Sequence, residues 1–287
     1  MSRFVYVNGR FLRRHEATID IEDRGFNFGD SVYEVIFMTA GNLVDEEGHL
    51  DRLEYSLGEL GIPMPKSRAT MSLLFRELVR LNGIHDGFVY MQVSRGAAPR
   101  EHLIPDGLSP SLMMMGRNVD LAAKPSVKNG VPVITTPDIR WARCDIKTTQ
   151  LIANCLAKSD AVRAGAGETW MVDENGVVTE GSSSNAWIVT SEGKLLTRAP
   201  THEILNGITR RTIISLAKKA GVEFEERAFT LDEAKVADEA FFTSATSLIT
   251  PATSIDGEKI GNGKVGPVTA MLQKEYLQFS RAPQTAK

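Results

Sequence analysis

The apolar positions of this chain change period several times, and each change marks an element. Near the start, "FVYVNGRFLRR" alternates apolar and polar residues on either side of an Asn-Gly pair, the pattern of two short strands joined by a tight turn. Strands and turns continue to about residue 45. In "HLDRLEYSLGELG" the spacing lengthens to that of a helix: Leu50, Leu53, Leu57 and Leu60 share one face, and Gly61 stands at the stop position. "RATMSLLFRELVRLNG" predicts a second helix. "FVYMQVSRG" and "SLMMMG" predict short apolar strands, with Met113, Met114 and Met115 as core filling.

Periodicity then fades in a stretch rich in Pro, Lys, Asn and Gly, so residues 121–131 are expected to link a small domain, 1–120, to a larger one, 132–287. Past it, the strands "VPVITT", "ETWMV", "GVVTE", "NAWIVT" and "KLLT" alternate with helices expected to begin at Thr148, Thr209 and Leu231. The fold class is α+β in both halves. The tail "SRAPQTAK" is expected to fray.

Composition narrows the partners. With 42% hydrophobic and 24% charged residues the chain reads as globular, and a net charge of -3 without a basic stripe argues against nucleic acid. No apolar run reaches the length of a membrane span. The charged N-terminal hairpin does not read as a secretory leader, and two cysteines, Cys144 and Cys155, are too few for a disulfide framework, so a cytoplasmic location is expected. The five histidines have no zinc-binding spacing, and no metal is assigned.

Four polar features stand where elements meet. Lys147 follows "CDI" and precedes two threonines expected to cap a helix; an ammonium partly withdrawn from water there favours the neutral amine, which attacks carbonyls. Lys158, inside the helix, reads as an ordinary solvated charge. In "VVTEGSSSNAWIV", Glu180 closes a strand, with Ser183 and Ser184 in the turn after it; the plain reading is a serine-rich hairpin, the functional one a carboxylate facing a ring nitrogen. "LNGITRRTIISLAKKAG" places Gly207 before a helix opened by Ile208 and Thr209, a seat for phosphate, although many helices begin this way with nothing bound. "FFTSATSLITP" adds a turn containing Ser244 and Ala245 that offers further donors. Arg52, off the leucine stripe, can supply a cation. A nucleophilic lysine, a ring-nitrogen carboxylate and a phosphate seat together make the parts of a pyridoxal phosphate site.

The ordered stretches "FNFGDSVYE", "HLDRL", "CDIK", "TEGSSSN", "NGITR" and "TSATSLITP" resemble the fold-type IV aminotransferases, the class of D-amino acid and branched-chain aminotransferases, over nearly the whole chain. The resemblance implies a smaller N-terminal α/β domain, a larger C-terminal domain with a β-barrel-like core, the cofactor between them, and a homodimer. It implies that Lys147 carries pyridoxal 5'-phosphate covalently, that Glu180 pairs with the ring nitrogen, that Leu205 packs on the ring, and that Arg52, Ile208 and Thr209 hold the phosphate. Ala245 stands where the family commonly has a threonine, and Leu248 where it commonly has a glutamate.

Within the class, "SRGAAPREHLIP" is similar to the D-amino acid enzymes, which implies that Arg100, His102 and Tyr33 bind the substrate α-carboxylate, with Arg100 and His102 reaching the neighbouring subunit's site. The expected activity is transamination of D-amino acids such as D-alanine with a 2-oxo acid such as 2-oxoglutarate. A branched-chain L-aminotransferase or an aminodeoxychorismate lyase on the same fold is the alternative, and a non-catalytic binder of a phosphate ligand is a more remote one.

Overall fold

In the computed structural model, which describes residues 2–283, the chain divides into two units. The first runs to Asp120 and takes back Ile146–Gln150 and the chain from Ser280; the second holds Leu121–Asp145 and Leu151–Phe279. Residues 121–131, expected to be a linker, belong to the second unit. They carry a short helix, α4 (Pro125–Asn129), because Pro125 suits a first helical turn, where its missing N–H goes unneeded.

The first unit is built on six antiparallel strands, β1 (Phe4–Val7), β2 (Arg10–Arg13), β3 (Ser31–Thr39), β4 (Asn42–Leu43), β5 (Gly87–Ser94) and β6 (Ser111–Asn118), in the order β2-β1-β6-β5-β3-β4. The Asn8-Gly9 turn joins β1 to β2 with both residues at positive φ, 43° and 96°. Helices α1 (Arg24–Phe28), α2 (Glu46–Glu59) and α3 (Arg68–Asn82) complete it. The expected leucine stripe of α2 is the buried one: Leu50, Leu53 and Leu57 pack with Phe75 and Leu78 of α3 onto Val32, Ile36, Val89 and Met91. Truncating one such leucine to alanine costs about 2–5 kcal/mol. Of the three methionines in β6 only Met114 is fully buried, because successive side chains of a strand face opposite ways and Met113 and Met115 fall on the other face.

The second unit holds a nine-stranded mixed sheet, curled into a half-barrel. Its strands are β7 (Val131–Pro137), β8 (Glu168–Val172), β9 (Val178–Gly181), β10 (Asn185–Val189), β11 (Leu195–Thr197), β12 (Phe224–Glu226), β13 (Glu239–Ser244), β14 (Leu248–Ile255) and β15 (Glu258–Lys259). The order is β12-β11-β10-β13-β14-β7-β8-β9, with β15 on β14. Strands β9, β10 and β11 are buried along their whole length, which is why "NAWIV" and "LLT" are runs rather than alternations. Around the sheet lie α4, α5 (Ile152–Arg163), α6 (Ile208–Lys219), α7 (Leu231–Lys235) and α8 (Pro267–Arg281). Ser280 and Arg281 close α8 instead of fraying, while residues 284–287 of that tail lie outside the described residues.

One helix starts later than expected. Helix α5 begins at Ile152, and neither Thr148 nor Thr149 caps it. Both belong to a short extended strip: Thr148 bridges Val32, and the Thr149 amide donates to the Ser31 carbonyl at 3.1 Å. A β-branched pair beside an open strand end is better satisfied by pairing than by a helical turn.

Candidate active site

That strip fixes Lys147. Its amide donates to Ser56 Oγ at 3.2 Å, and its carbonyl accepts from the Tyr33 amide at 3.0 Å. The buried Ile146 next to it is part of the first unit's core. The backbone is therefore held from both sides, and the side chain projects over the Tyr33 ring with Nζ 4.3 Å from the centroid. Lys147 is half-buried and has no ion-pair partner among the described residues. Lys158 differs: its ammonium, still partly solvated, donates to the Gly167 carbonyl and stands 3.7 Å from Glu168.

Tyr33 lies in β3 opposite Gln92, and stacks on Tyr90 with centroids 5.6 Å apart and planes at 26°. The Tyr90 hydroxyl donates to Gln92 Oε1 at 2.9 Å. Burial, and then the neighbouring Tyr33, push the Tyr90 phenol up to about 12. Tyr90 therefore stays a neutral donor and supports the ring that Lys147 faces.

Arg52 is buried rather than exposed. Its Nε and Nη2 donate to Glu34 Oε1 and Oε2 at 2.7 and 2.8 Å, and His49 Nδ1 shares Glu34 Oε2 at 2.7 Å. Burial alone pushes the Glu34 carboxyl up, but the Arg52 charge, its bonds and His49 outweigh that and hold it well below the usual carboxylate range. Burial pulls the His49 imidazole down despite Glu34. Sequence reasoning missed Glu34 and His49. The signal was available: Glu34 falls in phase with Val32 and Ile36, and a carboxylate on the core side of a strand demands a cation.

In the second unit, Glu180, next to last in β9, has both carboxylate oxygens hydrogen-bonded. Arg140 pairs with Oε1, Asn185 Nδ2 donates to Oε2 at 3.0 Å, and the Leu205 amide donates to both oxygens at 3.3 and 3.2 Å. Arg140 also grips Asp138, at 2.9 and 2.6 Å. Burial on its own pulls the guanidinium down, yet the bond to Asp138 and the Glu180 charge raise it above its ordinary value. Nothing in the sequence near Arg140 announces this role, because its carboxylate partner is forty residues away.

Asn185 continues the lacing to the phosphate seat by donating from Nδ2 to the Leu205 carbonyl at 2.9 Å. Gly207 then stands at the N-terminus of α6, where a Cβ would run into Asn185 Oδ1. Among the described residues no side chain caps this helix, and Ile208 and Thr209 are buried in its first turn. The Ser184 hydroxyl donates to the buried Glu168 at 3.0 Å, and the Ser182 hydroxyl donates to the same carboxylate. Ser183 is exposed. Ser244 Oγ accepts from the amides of Ser247 and Thr246 at 3.0 and 3.4 Å, which engages two donors of that turn, while Ala245 is half-buried. Leu248 closes the turn at φ 52°, buried in a left-handed conformation.

Arg100 and His102 lie on an exposed loop of the first unit, both against Phe28: the guanidinium carbon is 5.1 Å from the ring centroid and the imidazole centroid 5.7 Å.

The amino-transferase class IV family model matches residues 31–255. D-alanine aminotransferase of Bacillus licheniformis is 43% identical over 283 residues, 99% of each chain, and that of Staphylococcus haemolyticus 38% identical over 277 residues, 96% of this chain and 97% of the relative. Among solved structures, the branched-chain amino acid aminotransferase of Escherichia coli superposes with a TM-score of 0.89 at 26% identity, covering 96% of this chain and 94% of its own. That of Thermobaculum terrenum in its PLP-form gives 0.84 at 25%, covering 98% and 95%. The chain belongs to the class IV aminotransferases, the fold-type IV pyridoxal phosphate enzymes.

The residues present fit that cofactor. Among the described residues, Lys147 offers an amine without an ion-pair partner, Glu180 a carboxylate held by three donors, and α6 an N-terminus without a side-chain cap, behind Gly207, where a Cβ would meet Asn185 Oδ1.

Proposed function

We infer that this enzyme transfers the amino group of D-amino acids, D-alanine among them, to a 2-oxo acid such as 2-oxoglutarate or pyruvate in two half-reactions. The observation that carries the reading is Lys147, a backbone-locked amine with no ion-pair partner among the described residues, lying over Tyr33. Pyridoxal phosphate supplies an electron sink when its ring nitrogen is protonated. Glu180, fixed by Arg140, Asn185 and the Leu205 amide, holds that proton in place. Arg52, Ile208, Thr209 and the turn at Ser244 and Ala245 hold the phosphate, with Leu205 against the ring. Lys147 anchors the cofactor. Its amine, once free, would be the group that moves the proton at the substrate Cα.

Tyr33, Arg100 and His102 bind the α-carboxylate, and fixing that group decides which enantiomer presents its proton to Lys147. The D assignment draws support from full-length relatives at 37–43% identity, against 25–28% for the branched-chain structures. The branched-chain L-aminotransferase is the second reading, favoured by the TM-scores. Ile21, Phe26 and Leu103, exposed at 74%, 70% and 82%, support a homodimer that covers them. A cytoplasmic location is part of the same reading; among the described residues no helix is long and apolar enough to cross a membrane.

Assaying D-alanine, L-leucine and aminodeoxychorismate side by side tests the substrate. Turnover of D-alanine is expected, and turnover of L-leucine alone overturns it. Borohydride treatment should fix the cofactor to Lys147, and Lys147→Ala should lower kcat about a thousand-fold or more. A label on another side chain refutes the anchor.

A further inference from the structure

The Arg100 and His102 loop leaves β5 through Gly96, at φ 108°, where a Cβ would strike the Ser109 carbonyl. Its base is tied to the segment before α1. Ala97 bridges Asp23, the Arg24 amide donates to the Gly96 carbonyl at 2.9 Å, and the Ala98 amide donates to the Glu22 carbonyl at 3.3 Å. Past that base, the loop around Arg100 and His102 is exposed, with Leu103 and Ile104 turned outward, and has no strand partner.

A buried side chain takes over at that point. Arg24, 3% exposed, donates from Nη1 to the carbonyls of Glu101 and Leu103 at 2.8 and 3.4 Å, the residues on either side of His102. Its Nε is held by Asp30 at 2.8 Å, and Asp30 is itself clamped by Arg95 at 2.8 Å. Arg95 is fixed in turn by the carbonyls of Leu60 and Gly61. The Arg24 guanidinium lies 4.7 Å from the Phe28 centroid, and the same ring receives Arg100 and His102. One aromatic ring thus carries two guanidinium groups and an imidazole, contacts each favoured by its quadrupole. Two cations side by side repel, so Arg100 gains from the ring while Asp30, shared between Arg24 and Arg95, offsets part of the charge on Arg24.

We propose that Arg24 and Phe28 are positioning residues that set the separation and direction of Arg100 and His102, and so determine how tightly a carboxylate substrate is held. The proposal rests on the reading of Arg100 as a carboxylate ligand. Holding two donors in a fixed geometry removes the ordering cost that a free loop would meet on each binding event.

The test compares Phe28→Leu, Phe28→Tyr, Arg24→Lys and Arg100→Ala as full-length holoenzymes, with D-alanine as substrate and melting temperature as a check on folding. Phe28→Leu and Arg24→Lys are expected to raise KM for D-alanine about ten-fold, with kcat within about two-fold of the parent. Amide hydrogen exchange over residues 99–104 should quicken in both, with the cofactor absorbance band unmoved. Phe28→Tyr, which keeps the ring, should restore KM and exchange to parental values. If Arg100→Ala raises KM while Phe28→Leu and Arg24→Lys change neither KM nor exchange, the positioning role is overturned and the reading of Arg100 survives. If Arg100→Ala leaves KM unchanged, both are overturned.

Discussion

Each unit contains a buried glutamate bound to a buried arginine, and the two pairs are built in opposite senses. In the first unit Glu34 is wholly enclosed and uses both oxygens on Arg52 and His49, so the carboxylate is the fixed partner and the arginine the aimed one. In the second, Arg140 is locked by Asp138, and Glu180 is the group it aims, helped by Asn185 and the Leu205 amide. On the proposed reading, the same ion pair presents a cation in one place and an anion in the other. Which one faces a ligand depends on which partner the rest of the network immobilises.

This contrast can be broken by substitution. If Glu180 faces the cofactor ring as proposed, Glu180→Gln should lower kcat about a hundred- to a thousand-fold. Glu34→Gln, with the enzyme saturated in cofactor, should leave kcat within a few-fold and weaken cofactor affinity about ten-fold, read by titrating the apoenzyme with pyridoxal phosphate and following absorbance. Equal losses of kcat would erase the distinction. Arg140→Met should destabilise the fold by about 3–5 kcal/mol in urea denaturation, because it leaves Asp138 and Glu180 buried without their cation.

Acid sharpens the first half of the comparison. Glu34 is held below its ordinary 4.5, so its stabilisation is complete above that pH and is lost as pH falls toward the folded value. His49 is held below 6.5, so under that pH the unfolded chain takes up a proton that the native one refuses, and stability falls in the same direction. Unfolding free energy measured from pH 7 to pH 4 should decline, and Glu34→Gln should have less to lose at the acid end. A flat parental profile counts against the triad. The smallest effect concerns the cysteines. Burial, only partly offset by Arg140, pushes the Cys144 thiol up to about 11, whereas Cys155 is exposed, so iodoacetamide at pH 8 should label Cys155 first.

The chain's own pattern determined a good deal. The leucine stripe of α2, the Asn8-Gly9 turn, and the order Lys147, Glu180, Gly207 were legible because each depends on a local period or on a residue type that only one local geometry accommodates. What failed was of another kind. Thr148 and Thr149 look like helix caps and serve instead as a paired strip, and the partner of Ser184, Glu168, lies sixteen residues away. Arg140 finds Glu180, and Glu34 finds Arg52 and His49, across spans no local rule covers. A buried charge takes its partner from whatever packing brings within about 3 Å, and packing is settled by the assembled core. The sequence therefore marked Lys147, Glu180 and Gly207 as candidates, and only the tertiary structure decided which charges surround them.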